Sequence, residues 1–256
     1  MEKGSNKKAQ IAIFVILAIA VMIILILLFT FRQKFTFITT SETPVEQIKK
    51  CIRDATEQGL TLISAQGGSI EPQNFILYEG NKVDYLCYTE EDYKECIMQK
   101  PLLKQTIEQE LETYTQPKIN NCLTSLKSSL QDKGYQVSLE QPETTIELFP
   151  NNIQIILNNL NLQITKDKTE SYPTLKTDVN TKLYDLVIIA SSISNWEAKY
   201  GDAEIMNYML HYPKLKVEKK PQDEGTNIYI LTNTETQDKF LFASRSMVIP
   251  VGLIGE

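Results

Sequence analysis

The chain carries an apolar run that begins at Ile11 and closes at Phe31, IAIFVILAIAVMIILILLFTF, in which Thr30 is the only polar side chain. No other segment is apolar enough to surround a helix that is hydrophobic on every side, so this run constrains the fold before anything else does. At about 1.5 Å of rise per residue, roughly 20 residues cover the ~30 Å hydrocarbon layer of a bilayer, where a helix satisfies its own backbone. A cleaved secretory signal has a shorter apolar core, about 7–15 residues, and then a small-residue site. Here the small-x-small pattern Ala18-Ile19-Ala20 lies in mid-run, with apolar residues continuing past it. The expectation is a single-pass anchor in contact with the lipid bilayer from Ile11 to Phe31.

Charge and cysteine placement orient that anchor. Lys3, Lys7 and Lys8 precede the run, offset by Glu2, while Arg32 and Lys34 follow it, which favours an N-terminus on the inside. All four cysteines, Cys51, Cys87, Cys96 and Cys122, lie after the run, as suits an oxidising exterior. A zinc site is disfavoured: no C-x-x-C occurs, and His211, the sole histidine, is remote from the cysteines. Residues 1–34 hold five basic and one acidic side chain, so the other 21 basic and 31 acidic residues give the remainder a charge of −10. With Arg32, Arg53 and Arg245 the only arginines, that acidic domain is no nucleic-acid surface.

The expected organisation is a short cytoplasmic N-terminus (1–10), the span (11–31), a linker (32–43), a mainly helical cysteine-bearing part with a hairpin (44–134), and an antiparallel β-rich part with covering helices (135–256). Thr43-Pro44-Val45-Glu46 opens a helix as a capping box with Pro at its first position. Val45, Ile48, Ile52, Ala55, Gly59 and Leu62 then draw one face, and Gly67-Gly68 closes it. Phe75–Tyr78 and residues 83–88 read as a hairpin around Glu79-Gly80-Asn81-Lys82. Leu103, Ile107, Leu111 and Tyr114 mark a second helix, and Ile119, Cys122, Leu123, Leu126 and Leu130 another face, with Pro117 a restart or kink and Gly134 the end. Four cysteines allow three pairings. Helix geometry suits a link from Cys51 to Cys122, and a short local loop suits Cys87 with Cys96.

From residue 135 the period changes to two, with Val137 and Leu139, Ile146 and Leu148, Ile153 and Ile155, and Leu160, Leu162 and Ile164 alternating with polar partners. That predicts a meander of about four strands ending near residues 174–179. Leu183, Leu186, Val187, Ala190, Ile193 and Trp196 predict a covering helix, followed by a short helix over 202–211 and strands over 215–218, 227–232 and 239–245. The fold class is α+β: helices packed on antiparallel sheet, behind a transmembrane helix.

The sequence holds no G-x-S-x-G elbow, no H-E-x-x-H pair, no phosphate-cradling loop and no dinucleotide fingerprint. His211, at an expected helix C-terminus, has an ordinary structural place. The acids around residues 90–95 lack the spacing of a calcium loop. Catalytic, cofactor-binding and metal-ligating residues are therefore expected to be none, and no cofactor is expected. A surface hydrolase with an unreadable site is the enzymatic alternative.

Two resemblances add to this. Lys7-Lys8-Ala9-Gln10 before an apolar helix resembles the archaeal class III signal of type IV pilin-like proteins, which implies processing between Ala9 and Gln10; Phe14 stands where such pilins carry Glu. Cys51-Ile52-Arg53-Asp54-Ala55, Ala65-Gln66-Gly67-Gly68-Ser69-Ile70, Asn121-Cys122-Leu123 and Phe240-Leu241-Phe242-Ala243-Ser244-Arg245 are similar to uncharacterised single-pass proteins of small-genome archaea, which implies a cell-surface protein. The leading expectation is a membrane-anchored extracytoplasmic binding or structural domain with an unknown protein partner and no catalysis. A pilin-like subunit is the alternative. Protease added to intact cells is expected to remove the large domain while a cytoplasmic control survives; a domain left intact under those conditions contradicts the orientation.

Overall fold

The structure, a computed structural model, describes residues 43–246 except Asp167, and of the preceding residues only Leu17 and Met22. The expected span and the Ala9/Gln10 processing site thus lie outside the described residues, save that Leu17 and Met22 are each helical and exposed. Among the described residues no helix is long and apolar enough to cross a membrane. Residues 44–246 belong to one compact unit of mixed α and β structure.

Two antiparallel helices begin it. Helix α1, Pro44–Ala65, buries Val45, Ile48, Ile52, Ala55, Gly59 and Ile63. The stripe thus ends on Ile63, four residues beyond Gly59, and Leu62 points to solvent. Helix α2, Leu103–Asp132, runs through Pro117 as one 30-residue element rather than restarting. Packing on both sides of the proline holds it in line: Leu111, Thr115, Ile119 and Leu123 are all buried. Gly59 is where the two helices meet most closely, since a Cβ there would lie 2.8 Å from the Tyr114 ring and 3.0 Å from Leu111. Gly134, at φ +82°, ends α2 as a Schellman turn, its N–H donating to Gln131 O and that of Tyr135 to Leu130 O.

The strands form three sheets. The largest has the order β1-β2-β12-β11-β10, with β3 also paired to β2. It takes β1 (Phe75–Tyr78), β2 (Asn81–Tyr88) and β3 (Ile97–Met98) from the hairpin region. β10 (Leu215–Pro221), β11 (Thr226–Asn233) and β12 (Lys239–Arg245) come from the chain's last third. β2 and β12 are parallel, so the hairpin is completed by a strand about 150 residues later. The expected meander is instead two three-stranded sheets, β4-β7-β8 (Gln136–Ser138, Leu162–Thr165, Thr169–Tyr172) and β5-β6-β9 (Glu143–Leu148, Asn152–Asn158, Leu175–Asn180). The switch falls at Asn159 and Asn161, both at positive φ, a conformation asparagine tolerates better than most residues. Between them buried Leu160 donates its N–H to Pro173 O and accepts from Glu140 N–H, joining the two sheets' connecting segments.

Strand β5 is an edge, and α2 covers it. The N–H groups of Thr144, Ile146 and Leu148 donate to the side chains of Gln116 (2.8 Å), Glu112 (2.8 Å) and Glu108 (2.7 Å). Four residues of helix rise about 6 Å and two residues of strand about 6.7 Å, so the two periods match over three rungs. Gln116 also donates to Pro142 O. Helix α3 (Leu183–Tyr200) and the short α4 (Ile205–His211) follow, and α3 buries Leu183, Leu186, Val187, Ile189, Ala190 and Ile193 in the same core as α1 and α2.

Removing one rung should show its worth. Glu112→Ala leaves the Ile146 N–H, beside a buried core position, without its acceptor and is expected to lower unfolding free energy by roughly 1–3 kcal/mol. Glu112→Gln keeps an acceptor and should cost less. Equilibrium denaturation with disulfides intact reads both, and equal losses would remove the hydrogen-bonding explanation.

Candidate functional site

The structure joins Cys51 to Cys122, across α1 and α2, and Cys87 to Cys96, closing the loop between β2 and β3. No cysteine is free. The first link closes 71 residues, which the chain-entropy relation converts to about 4 kcal/mol of stabilisation. His211 is the last residue of α4, exposed, with Nδ1 2.8 Å from Asn207 O one turn back. The acidic bend at 90–95 lies mostly at the surface, and among the described residues no group of three His, Cys, Asp or Glu is placed to hold a metal.

Two polar clusters were invisible in the sequence because their members are far apart in it. In one, the Ser69 hydroxyl donates to Asp84 Oδ2 (2.8 Å) while Lys100 Nζ donates to both. Ser69 and Asp84 are buried, and the cluster fastens the turn after α1, where Gly67 (φ +69°) packs against the Asp84 backbone. In the other, Glu197 on α3 is fully buried. Its carboxylate accepts from the Tyr229 hydroxyl and from Ser244 Oγ (3.1 Å), with Lys219 Nζ 3.5 Å away. Ser244 Oγ also lies 3.7 Å from Cys96 Sγ, which places this network against the local disulfide. Neither cluster contributes a lining residue to the cavities along α3.

The open site is on the other face of α3. Trp196, expected to point inward, is half exposed, and its place in the helical period is taken by the buried Glu197 one residue on. Trp196 stacks on Tyr200 with ring centroids 4.8 Å apart. Beside them α4 leans its inner side chains, Ile205, Tyr208 and Met209, on the core and points Met206 and Leu210 outward, the latter 73% exposed. Tyr208 hydroxyl and Ser192 Oγ share a hydrogen bond of 2.8 Å that fixes α4 to α3. Burial pushes the Tyr208 phenol above its ordinary pKa, against the opposing effect of the Ser192 bond.

Three cavities line up along this face. One of about 450 Å³ lies between the first half of α3 and the segment 211–215. A second of about 310 Å³ lies between α3 and α4 and shares His211 and Tyr212 with the first. The third, about 400 Å³, shares Ser192 and Trp196 with the second. Together they make a groove walled by Ile188, Trp196, Tyr200, Tyr208 and Tyr212, with Lys182, Lys199 and Lys214 at its rim. Each is within the range of small-ligand or peptide-side-chain pockets. His211 lines the groove, but its Nδ1 contact is to its own helix, and among the described residues no hydrogen bond joins it to a serine or carboxylate.

No protein-family model matches the chain, and neither a curated protein nor a solved structure does. The groove's geometry and chemistry alone therefore define the site.

The closed cluster around Glu197 makes a pH prediction. Burial foremost, and then the Glu197 carboxylate, push the Tyr229 phenol far above its ordinary pKa. A raised folded pKa means that stability is fully present below the unfolded value of about 10 and is lost as pH rises beyond it, by about 1.4 kcal/mol per pH unit for this one group. Tyr229→Phe should flatten the alkaline fall by that share. Denaturant titrations of both proteins between about pH 9 and 11 check it, and parallel curves would refute it.

Proposed function

We propose that this chain is a membrane-anchored, extracytoplasmic, non-enzymatic domain that binds an apolar polypeptide segment in the α3–α4 groove. The observation that carries the reading is the gathering of Ile188, Trp196, Tyr200 and Tyr212, all exposed, around cavities that share lining residues on one face. Aromatic and aliphatic anchors around a recess are the composition of binding hot spots, and contiguous exposed apolar surface of this kind marks an interaction site. Concavity favours a chain segment over a flat surface. The anchor rests on the run from Ile11 to Phe31 with its flanking charges. The exterior location rests on two disulfides, which persist in oxidising compartments. The resemblance to single-pass archaeal proteins agrees with that location. The non-enzymatic reading rests on the sequence, which carries none of the familiar catalytic motifs.

A second reading, a pilin-like subunit, is favoured by Lys7-Lys8-Ala9-Gln10. It requires a mature chain beginning at Gln10, which intact mass of the purified protein distinguishes from an anchor that keeps its first nine residues.

Peptide-display selection against the full chain in lipid nanodiscs tests the groove. The selected peptides are expected to be apolar, and Ile188→Asp or Tyr212→Asp should weaken them about tenfold or more, a change of about 1.4 kcal/mol. Leu77→Asp, at an exposed apolar position on β1, should leave them unchanged. Peptides indifferent to the groove variants, or no binders above background, would overturn the reading.

A further inference from the structure

The small sheet β4-β7-β8 turns one face to the core and the other to solvent. Val137, Leu162 and Ile164 are buried on the first, and the two-residue period of a strand puts their sequence neighbours on the second. Register sorts those neighbours into two cross-strand rows: Gln136, Thr165 and Thr169, and beside it Ser138, Gln163 and Ser171. A hydrogen bond of 3.0 Å between the Thr165 and Thr169 hydroxyls confirms the shared face. No member of either row is charged, in a chain where charged residues make up 23%. Yet β4 and β8 are the outer strands of their sheet, where a charged side chain is the usual guard against pairing with another chain.

The rows lead into a recess of about 340 Å³. Gln131 from the last turn of α2 and Tyr135 from the turn after it stand there beside Gln136, Ser138, Gln163 and Thr165. Among the described residues, the side chains of Gln131, Gln136, Ser138 and Gln163 have no hydrogen-bond partner. An amide brings an acceptor and two donors, and a hydroxyl both donates and accepts, so the recess presents unengaged groups of both kinds. They stand about 4.8 Å apart between strands and about 6.8 Å apart along a strand.

That chemistry selects among ligands. An ionic ligand needs a counter-charge, and the recess lining holds neither a carboxylate nor a cation. The Lys166 ammonium, outside the lining, lies 4.7 Å from the centre of the Tyr135 ring and is held by its π-face. An apolar chain segment needs exposed apolar anchors, and Val137, the one aliphatic side chain of the lining, is buried. An uncharged ligand covered with hydroxyls matches the amides and hydroxyls group for group, and half-buried Tyr135 adds an amphipathic ring beside them.

We propose that this recess, with the two rows leading from it, binds a neutral saccharide, and that Gln136 and Gln163 hold its hydroxyls. The site is separate from the α3–α4 groove and shares no lining residue with it. Hydrogen bonds between neutral groups exchange with water at small net gain, so a short sugar binds weakly, at roughly millimolar concentration. A repeating saccharide gains by meeting successive side chains along the rows.

Saturation-transfer NMR reads such weak binding from the sugar's own signals. The full chain in lipid nanodiscs is mixed in turn with the hexasaccharides of glucose, mannose and galactose and with the hexamer of galacturonic acid, and empty nanodiscs give the background. At least one neutral hexamer is expected to receive magnetisation well above background, and the acidic hexamer none. Gln136→Ala/Gln163→Ala, at exposed positions, should cut the transfer about fivefold or more with the thermal midpoint unchanged. Gln131→Ala, on a different element, should weaken it too, so that one folding defect cannot account for both. Background transfer for every neutral hexamer would overturn the proposal, as would equal transfer in the double variant or a preference for the acidic hexamer.

Discussion

The register between α2 and β5 is the contact on which the rest of this architecture depends. Three consecutive rungs, from Glu108, Glu112 and Gln116, saturate alternate N–H groups of an edge strand that would otherwise lie open to pairing with another chain. Their role reaches beyond satisfying donors, because they fix the rotation of α2 about its axis. With those three side chains aimed at β5, the neighbouring positions Ile107, Leu111, Thr115 and Ile119 are turned into the core. Cys122 and the Leu111–Tyr114 pair are turned toward α1, where Gly59 admits them and Cys51 is bonded. A slip of one residue in the strand would break all three rungs and expose the buried side of β5. The helix also crosses Pro117 with one rung beside the proline, which explains why the missing backbone donor does not end it.

Glu197 does for α3 what the ladder does for α2. A carboxylate without solvent is costly unless its lone pairs are met by donors. Here the donors come from three successive strands of the large sheet: Lys219 on β10, Tyr229 on β11 and Ser244 on β12. Only one placement of α3 meets them together. The polar anchor therefore sets which face of α3 looks inward, and by doing so it leaves Ile188, Trp196 and Tyr200 outside. The groove exists because of how a buried charge is satisfied.

Elements with short-range signals were legible in the sequence. The helix start at Pro44, the period of α1 and α2, the Glu79-Gly80 hairpin and the alternation through β5 and β6 all correspond to observed structure. What failed was long-range or depended on a partner. The parallel pairing of β2 with β12 joins strands that share no local signal. The division of the expected meander into two sheets turns on Asn159 and Asn161, two residues whose positive φ is an option in sequence and a fact only in context. Trp196 was assigned inward on hydrophobicity, yet the period equally allowed Glu197, and three donors from distant strands decided it. Glu108, Glu112 and Gln116 carry a readable i, i+4, i+8 spacing, but nothing local says that an edge strand lies opposite. The groove was illegible for a plainer reason: an exposed apolar residue and a buried one look alike until the neighbours are placed.

Helix α4 walls the groove while resting on very few contacts. It has seven residues and none is fully buried, so it exists through one-sided packing of Ile205, Tyr208 and Met209, the Ser192 bond to Tyr208 and the Glu204 side chain capping Met206 N–H. Those contacts use the inner face alone. The outer positions Met206 and Leu210 contribute little to holding the helix, and in a solvated role polar residues would stand there at no cost to packing. The groove side of α4 is a third face, where Asn207, Tyr208 and His211 line the cavity against α3, so Met206 and Leu210 form an exposed apolar pair apart from it.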